Sequence, residues 1–219
     1  RLDLDVWTAD LLAILEHERI SQSILIGHSL GAQLALQVAA RSPSVTRGLV
    51  LIEPVFPAAL LGGRRLMWRW RALLELATRG LMMANRWGLG RRSFPSRDLR
   101  ELDRETRREL AASGDTARLA KKYSSLRYIL PDLPTANYLQ ELAATVAPLP
   151  PLENISRPVL VMLAAGTSIA NQTVLEREIE RLPAADVVSV EADHWPLTER
   201  PIEVCREVER WLAARRLVG

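Results

Sequence analysis

A serine set between two glycines, Gly27-His28-Ser29-Leu30-Gly31, constrains this chain more than any other feature. It directly follows Ser23-Ile24-Leu25-Ile26 and directly precedes Ala32-Gln33-Leu34-Ala35-Leu36-Gln37-Val38-Ala39-Ala40. The first run is a short strand signal. The second is a strong helix former whose Ala32, Ala35 and Ala39 keep one face thin enough to pack on a sheet. Glycines two residues either side of a serine permit a very tight strand-to-helix turn, because the bare backbone can cross closely. The serine oxygen then projects above the sheet. A chance match in a glycine-containing turn is the plainer alternative, and the strand and small-residue helix around it argue against that.

The alternation continues on both sides. Leu4, Trp7, Leu11, Ile14 and Leu15 recur at helical spacing, so the chain opens with a helix. Gly48–Glu53 reads as the next strand, ended by Pro54 and Pro57. Pro158–Ala164 is a buried-strand run, followed by a helix over Asn171–Arg181, a strand over Asp186–Val190 and a helix over Ile202–Leu212. This pattern predicts an α/β fold with a mostly parallel sheet and helices on both faces. At 219 residues, 48% hydrophobic and 25% charged, the chain can bury a sizeable core. No run approaches the ~20 apolar residues of a membrane span, so stable membrane insertion is not expected. One cysteine, Cys205, allows no intrachain disulfide, and a reducing cytoplasm is the expected location.

Residues 58–150 have a different character. They read as helices over Arg64–Gly80, Arg97–Ser113, Thr116–Ile129 and Thr135–Ala147, and Pro148-Leu149-Pro150-Pro151 makes a stiff return. This stretch carries 17 Lys and Arg against 9 Asp and Glu, a net of +8, whereas the remainder carries a net of −5. A basic insert could attract an anionic substrate, an acidic membrane surface or nucleic acid. The plainer alternative is solvated helix faces, since Glu101, Asp103, Glu105 and Glu109 interleave with Arg100, Arg104, Arg107 and Arg108. Nothing in the sequence forms a nucleic-acid-binding motif.

The Gly27–Gly31 context, with its strand and helix, closely resembles the nucleophile elbow of the α/β-hydrolase family. The resemblance implies residues 1–57 and 151–219 as the core and residues 58–150 as a helical cap. It also implies that about four strands normally precede this helix, so the chain looks N-terminally incomplete, the C-terminal two-thirds of such a fold. A sheet cut there exposes the nucleophile strand as an edge, and self-association through it is expected. A minimal fold without those strands is the alternative.

A serine hydroxyl needs an imidazole to take its proton and a carboxylate to orient that imidazole. Three histidines are present. His28 lies inside the turn and cannot readily reach its neighbour's hydroxyl, and His17 reads as a surface residue between Glu16 and Glu18. His194 follows a core strand and precedes the last helix, where the resembling family carries its catalytic base. The usual acid position, after Val159–Ala164, reads Ala165-Gly166-Thr167-Ser168-Ile169-Ala170-Asn171-Gln172-Thr173 and holds no carboxylate. Haloalkane dehalogenases place an acid after the preceding strand, and Glu53 occupies that place here. Strand ends of a parallel sheet are where ligands gather. The alternative is a rim glutamate paired with an arginine.

The backbone N–H of Leu30 is the expected oxyanion donor, with the second donor coming from an upstream loop in the resembling family. This chain alone is therefore expected to be weakly active. No clustered metal-ligand spacing and no dinucleotide fingerprint occur, so neither metal nor cofactor is expected. The implied activity is that of a serine hydrolase acting on a small-molecule carboxylic ester. Carbon–carbon hydrolase or haloperoxidase-like activity and a slow or inactive ligand-binding protein remain alternatives.

Overall fold

The computed structural model describes residues 3–89, 94–96, 98–123, 125–166, 170–192 and 195–217. In chain order the elements are α1 (Leu4–His17), β1 (Ser23–His28), α2 (Leu30–Arg41), β2 (Thr46–Ile52), α3 (Gly62–Arg69) and α4 (Arg71–Arg86). There follow α5 (Leu99–Ser113), α6 (Thr116–Tyr123), α7 (Leu126–Ile129), α8 (Thr135–Thr145), β3 (Val159–Ala164), α9 (Gln172–Glu180), β4 (Ala185–Val190), α10 (Pro196–Glu199) and α11 (Pro201–Ala214). The chain divides into two compact units, residues 1–71 with 143–219, and residues 72–142.

The first unit is built on one parallel sheet in the order β1-β2-β3-β4. Residues 49–52 of β2 and the whole of β3 are apolar because both faces are covered there, as parallel sheets require. Leu49, Leu51, Val159 and Val161 face one way and meet Leu36 of α2 and Leu175 and Ile179 of α9. Val50, Ile52, Leu160 and Met162 face the other way and meet Val204 and Trp211 of α11. Gly48 makes room for that helix and the chain just beyond it: a Cβ there would lie 3.5 Å from the Trp211 ring and 2.9 Å from Leu217 Cδ1. Asp186 of β4 fastens the same helix, accepting from Trp211 Nε1 (2.6 Å) and from Arg215 Nη2 and Nε. Burial alone would raise the Asp186 carboxyl, but the Arg215 and Trp211 hydrogen bonds outweigh it and hold its pKa below the usual aspartate value.

The second unit is helical. Its α5 and α6 are tied by Lys122 Nζ to Glu109 Oε2 (2.7 Å) and by the Thr106 and Tyr123 hydroxyls. Two helices are shorter than the sequence periodicity predicts. The span expected over Arg64–Gly80 breaks at Trp70, whose φ of −105° and ψ of 19° leave the helical region and separate α3 from α4. The span expected over Thr116–Ile129 is divided into α6 and α7, with Ser125 extended at φ −76°, ψ 134°.

Candidate active site

β1 ends at His28 and α2 begins at Leu30, so Ser29 alone turns the chain. It does so at φ 53°, ψ −114°, a region that side chains avoid at a cost of about 1–3 kcal/mol. Its N–H donates to Ile52 O at 2.9 Å, which locks the turn to the end of β2. Ser29 is also the N-cap of α2. A serine there ordinarily accepts a hydrogen bond from the first helical turn, and Ser29 makes no such side-chain bond. The backbone is strained and the hydroxyl is not spent on the helix. Leu30, first residue of α2, has an N–H with no intrahelical acceptor, at the positive end of the helix dipole.

The two glycines play unequal parts. A Cβ on Gly27 would lie 2.2 Å from Gly31 O and 2.6 Å from Ala32 N, all rigid backbone. A Cβ on Gly31 would meet nothing within 4 Å among the described residues. The close crossing is thus the Gly27 α-carbon against the backbone of Gly31.

The sheet register puts Glu53 beside this turn. His28 pairs with Ile52 and Ile52 with Met162, so Ser29 and Glu53 are each the first residue past neighbouring strand ends. Glu53 also has a positive φ, 46°, and its N–H donates to Met162 O at 2.8 Å. Its side chain is 5% exposed, and Oε1 accepts the N–H of Ala164 at 2.5 Å, so the carboxylate leans toward β3. A cavity of about 20 Å³, room for about one water, lies against it and is lined by Val55, Phe56, Leu60, Leu163 and Ala170. Charge–charge interactions are stronger beside such an apolar wall than in water.

His194 and Asp193 lie outside the described residues, as do Thr167, Ser168 and Ile169 of the loop after β3. The segments either side of His194 are held in place. Ala192 O accepts from Gly166 N (2.9 Å), Glu191 O accepts from Arg200 Nε (3.0 Å), and Trp195 N donates to Glu199 Oε1 (3.2 Å). Ser29, Leu30 and Glu53 therefore gather at adjoining strand ends, with the segment bearing His194 following β4 of the same sheet.

One supporting residue is not predicted from the sequence. Gln33, one turn after Ser29 on α2, is 0% exposed, and its Nε2 donates to both Val55 O (2.8 Å) and Thr145 O (2.9 Å). Its Oε1 has no hydrogen-bond partner. The available signal was an amide sharing the buried helix face with Ala32 and Leu36.

A sequence model described as the alpha/beta hydrolase family matches residues 1–208. A Haemophilus influenzae protein provisionally named an esterase/lipase is 30% identical over 53 residues, which is 24% of this chain and 18% of that protein. Among solved structures, a thermophilic esterase from Thermogutta terrifontis superposes with a TM-score of 0.63 at 18% identity, covering 97% of this chain and 73% of that one. The enol-lactonase from Burkholderia xenovorans gives 0.62 at 17% identity, covering 97% and 74%. At those identities the likeness is one of fold.

Proposed function

The chain belongs to the alpha/beta hydrolase family, and on that premise we propose that it hydrolyses carboxylic esters of small to medium apolar substrates through an acyl-enzyme on Ser29. The observation that carries this reading is the conformation of Ser29. A left-handed serine at a helix N-cap, uncapped by its own hydroxyl, is costly geometry whose use is to present Oγ above the strand ends. In the proposed reaction His194 takes the Ser29 proton as Oγ attacks the substrate carbonyl. The oxyanion forms against the Leu30 N–H. His194 then returns the proton to the departing alkoxide, and water repeats the sequence to release the acid. Glu53 is the proposed partner that orients His194 and stabilises its cation. Support for Glu53 comes from its burial, its place one strand from Ser29 and its fixed tilt toward β3. The helical residues 58–150 are the proposed cap that shapes acyl and alcohol preference. The names esterase and enol-lactonase carried by similar structures fit acyl transfer.

Multiple-turnover hydrolysis of short-chain aryl esters tests the reading. Ser29→Ala is expected to lose at least about 10³-fold in kcat, and Glu53→Gln about 10²–10⁴-fold, with the fold intact. Undiminished turnover in Ser29→Ala would overturn the reading. Tight ester binding without turnover in the wild type would point instead to a ligand-binding protein.

A further inference from the structure

Between Glu53 and Glu75 the chain holds no acidic residue, yet it places Arg64, Arg65, Arg69 and Arg71 there beside Trp68 and Trp70. The structure places residues 64–69 in α3, with Trp70 as its C-cap and Arg71 opening α4, and residues 62–71 all lie in the first unit. Only Met67 points inward, onto Val55, Leu60 and Val146. Leu66 and Trp70 are each 56% exposed, Trp68 is exposed as well, and Arg64, Arg65 and Arg69 stand in solvent. Among the described residues no ion pair joins these three arginines to an acid. Large apolar side chains are thus held in water next to uncompensated cations, a combination that a solvated helix face does not need.

The helix that follows repeats the pattern independently. Along α4, Leu73, Leu76 and Met83, with Trp87 just beyond its end, fall on one stripe at helical spacing, and all four are exposed. Arg86 borders that stripe, and Arg79 beside it pairs with Glu75 Oε2 at 4.0 Å, so the apolar exposure recurs there while one of the two cations is compensated.

We propose that α3 is a peripheral docking element for an anionic lipid surface, with the indoles and Leu66 entering the headgroup boundary and the arginines engaging lipid phosphates and carboxylates. Indole rings settle at that boundary because one edge is apolar and the N–H is polar. Arginine stems lie along the apolar zone while the guanidinium stays hydrated. Nucleic acid would also attract arginine and stack on tryptophan, but it offers nothing to Leu66 or to the aliphatic stripe of α4, whereas a bilayer interface takes such side chains in. Among the described residues no helix is long and apolar enough to cross a membrane, and the proposed contact is a surface one.

Co-sedimentation of the full chain with phosphatidylcholine vesicles, with and without phosphatidylserine, tests this. Binding is expected only with phosphatidylserine and is expected to vanish at high salt. Because each arginine near an anionic leaflet changes partitioning about fivefold, the Arg64→Gln/Arg65→Gln/Arg69→Gln variant should bind on the order of 100-fold more weakly. As a second readout, lipids carrying a quencher in the upper acyl chain should quench wild-type tryptophan fluorescence, and the quenching should shrink in Trp68→Phe/Trp70→Phe. Equal partitioning onto neutral and anionic vesicles would overturn the proposal. So would absence of binding at low salt, unquenched fluorescence, or retention on single-stranded nucleic acid without retention on vesicles.

Discussion

At the residue scale the decisive positions are Ser29 and Gly27, and Gly31 is permissive. The sequence makes the turn legible because only a glycine-flanked serine between a strand and a helix suits it. It does not reveal that the glycines differ, since both lack a Cβ and only the folded backbone shows which one is approached. Gly27→Ala drives a Cβ into carbonyl and amide atoms that cannot rotate aside, so a loss of about 2–4 kcal/mol in denaturant melts is expected, with activity abolished. Gly31→Ala meets open space within α2 and should leave stability unchanged or raised by up to about 1 kcal/mol, the helix preference of alanine. Equal damage from both would contradict this account of the turn. Ser29→Gly should remove both the strain and the nucleophile, so a variant that is inactive yet melts at higher temperature is expected. The positive φ of Glu53 was equally hidden, because glutamate has no local preference for that region.

At the element scale the strands and the core helices were readable from their periods, and the breaks between helices were not. Trp70 carries no glycine or proline signal, so the separation of α3 from α4 cannot be read locally. The tie made by Gln33 is hidden for a similar reason, because its partners Val55 and Thr145 lie 22 and 112 residues away. That amide clamps α2 to the chain just after Glu53 and to the end of α8. Gln33→Leu leaves two carbonyls without their donor, and a loss of about 1–3 kcal/mol is expected in urea unfolding. Gln33→Glu should be worse, because a carboxylate keeps the shape and supplies no N–H. No loss in either variant would remove Gln33 from the framework of the site. The Asp186 link between β4 and α11 carries a pH signature. Its folded pKa is lowered, so its stabilisation is present above the unfolded aspartate value and is lost as pH falls through the lower folded value. Asp186→Asn should therefore melt earlier than the wild type at neutral pH, and the gap should close in acid below about pH 4. A gap independent of pH would show that the link acts through packing alone.

At the scale of the whole molecule, composition by position separates a basic stretch over 58–150 from an acidic remainder, while the two compact units divide at other bounds, residues 1–71 with 143–219 and residues 72–142. β1 lies at one edge of the sheet among the described residues and keeps Ile26 57% exposed, so self-association of this chain through that edge is proposed. A concentration-independent monomer in sedimentation velocity would count against it. Substrate preference was never legible, because no local motif encodes the shape of a binding space. The central claim is narrower than substrate choice: Ser29 is an activated nucleophile. Intact mass after reaction with a fluorophosphonate tests it most directly, because the reagent needs only a formed turn and a working base. The account predicts one adduct on the wild-type chain, slower labelling of Glu53→Gln and none on Ser29→Ala. A folded wild type that stays unlabelled, or an adduct that persists in Ser29→Ala, would contradict it.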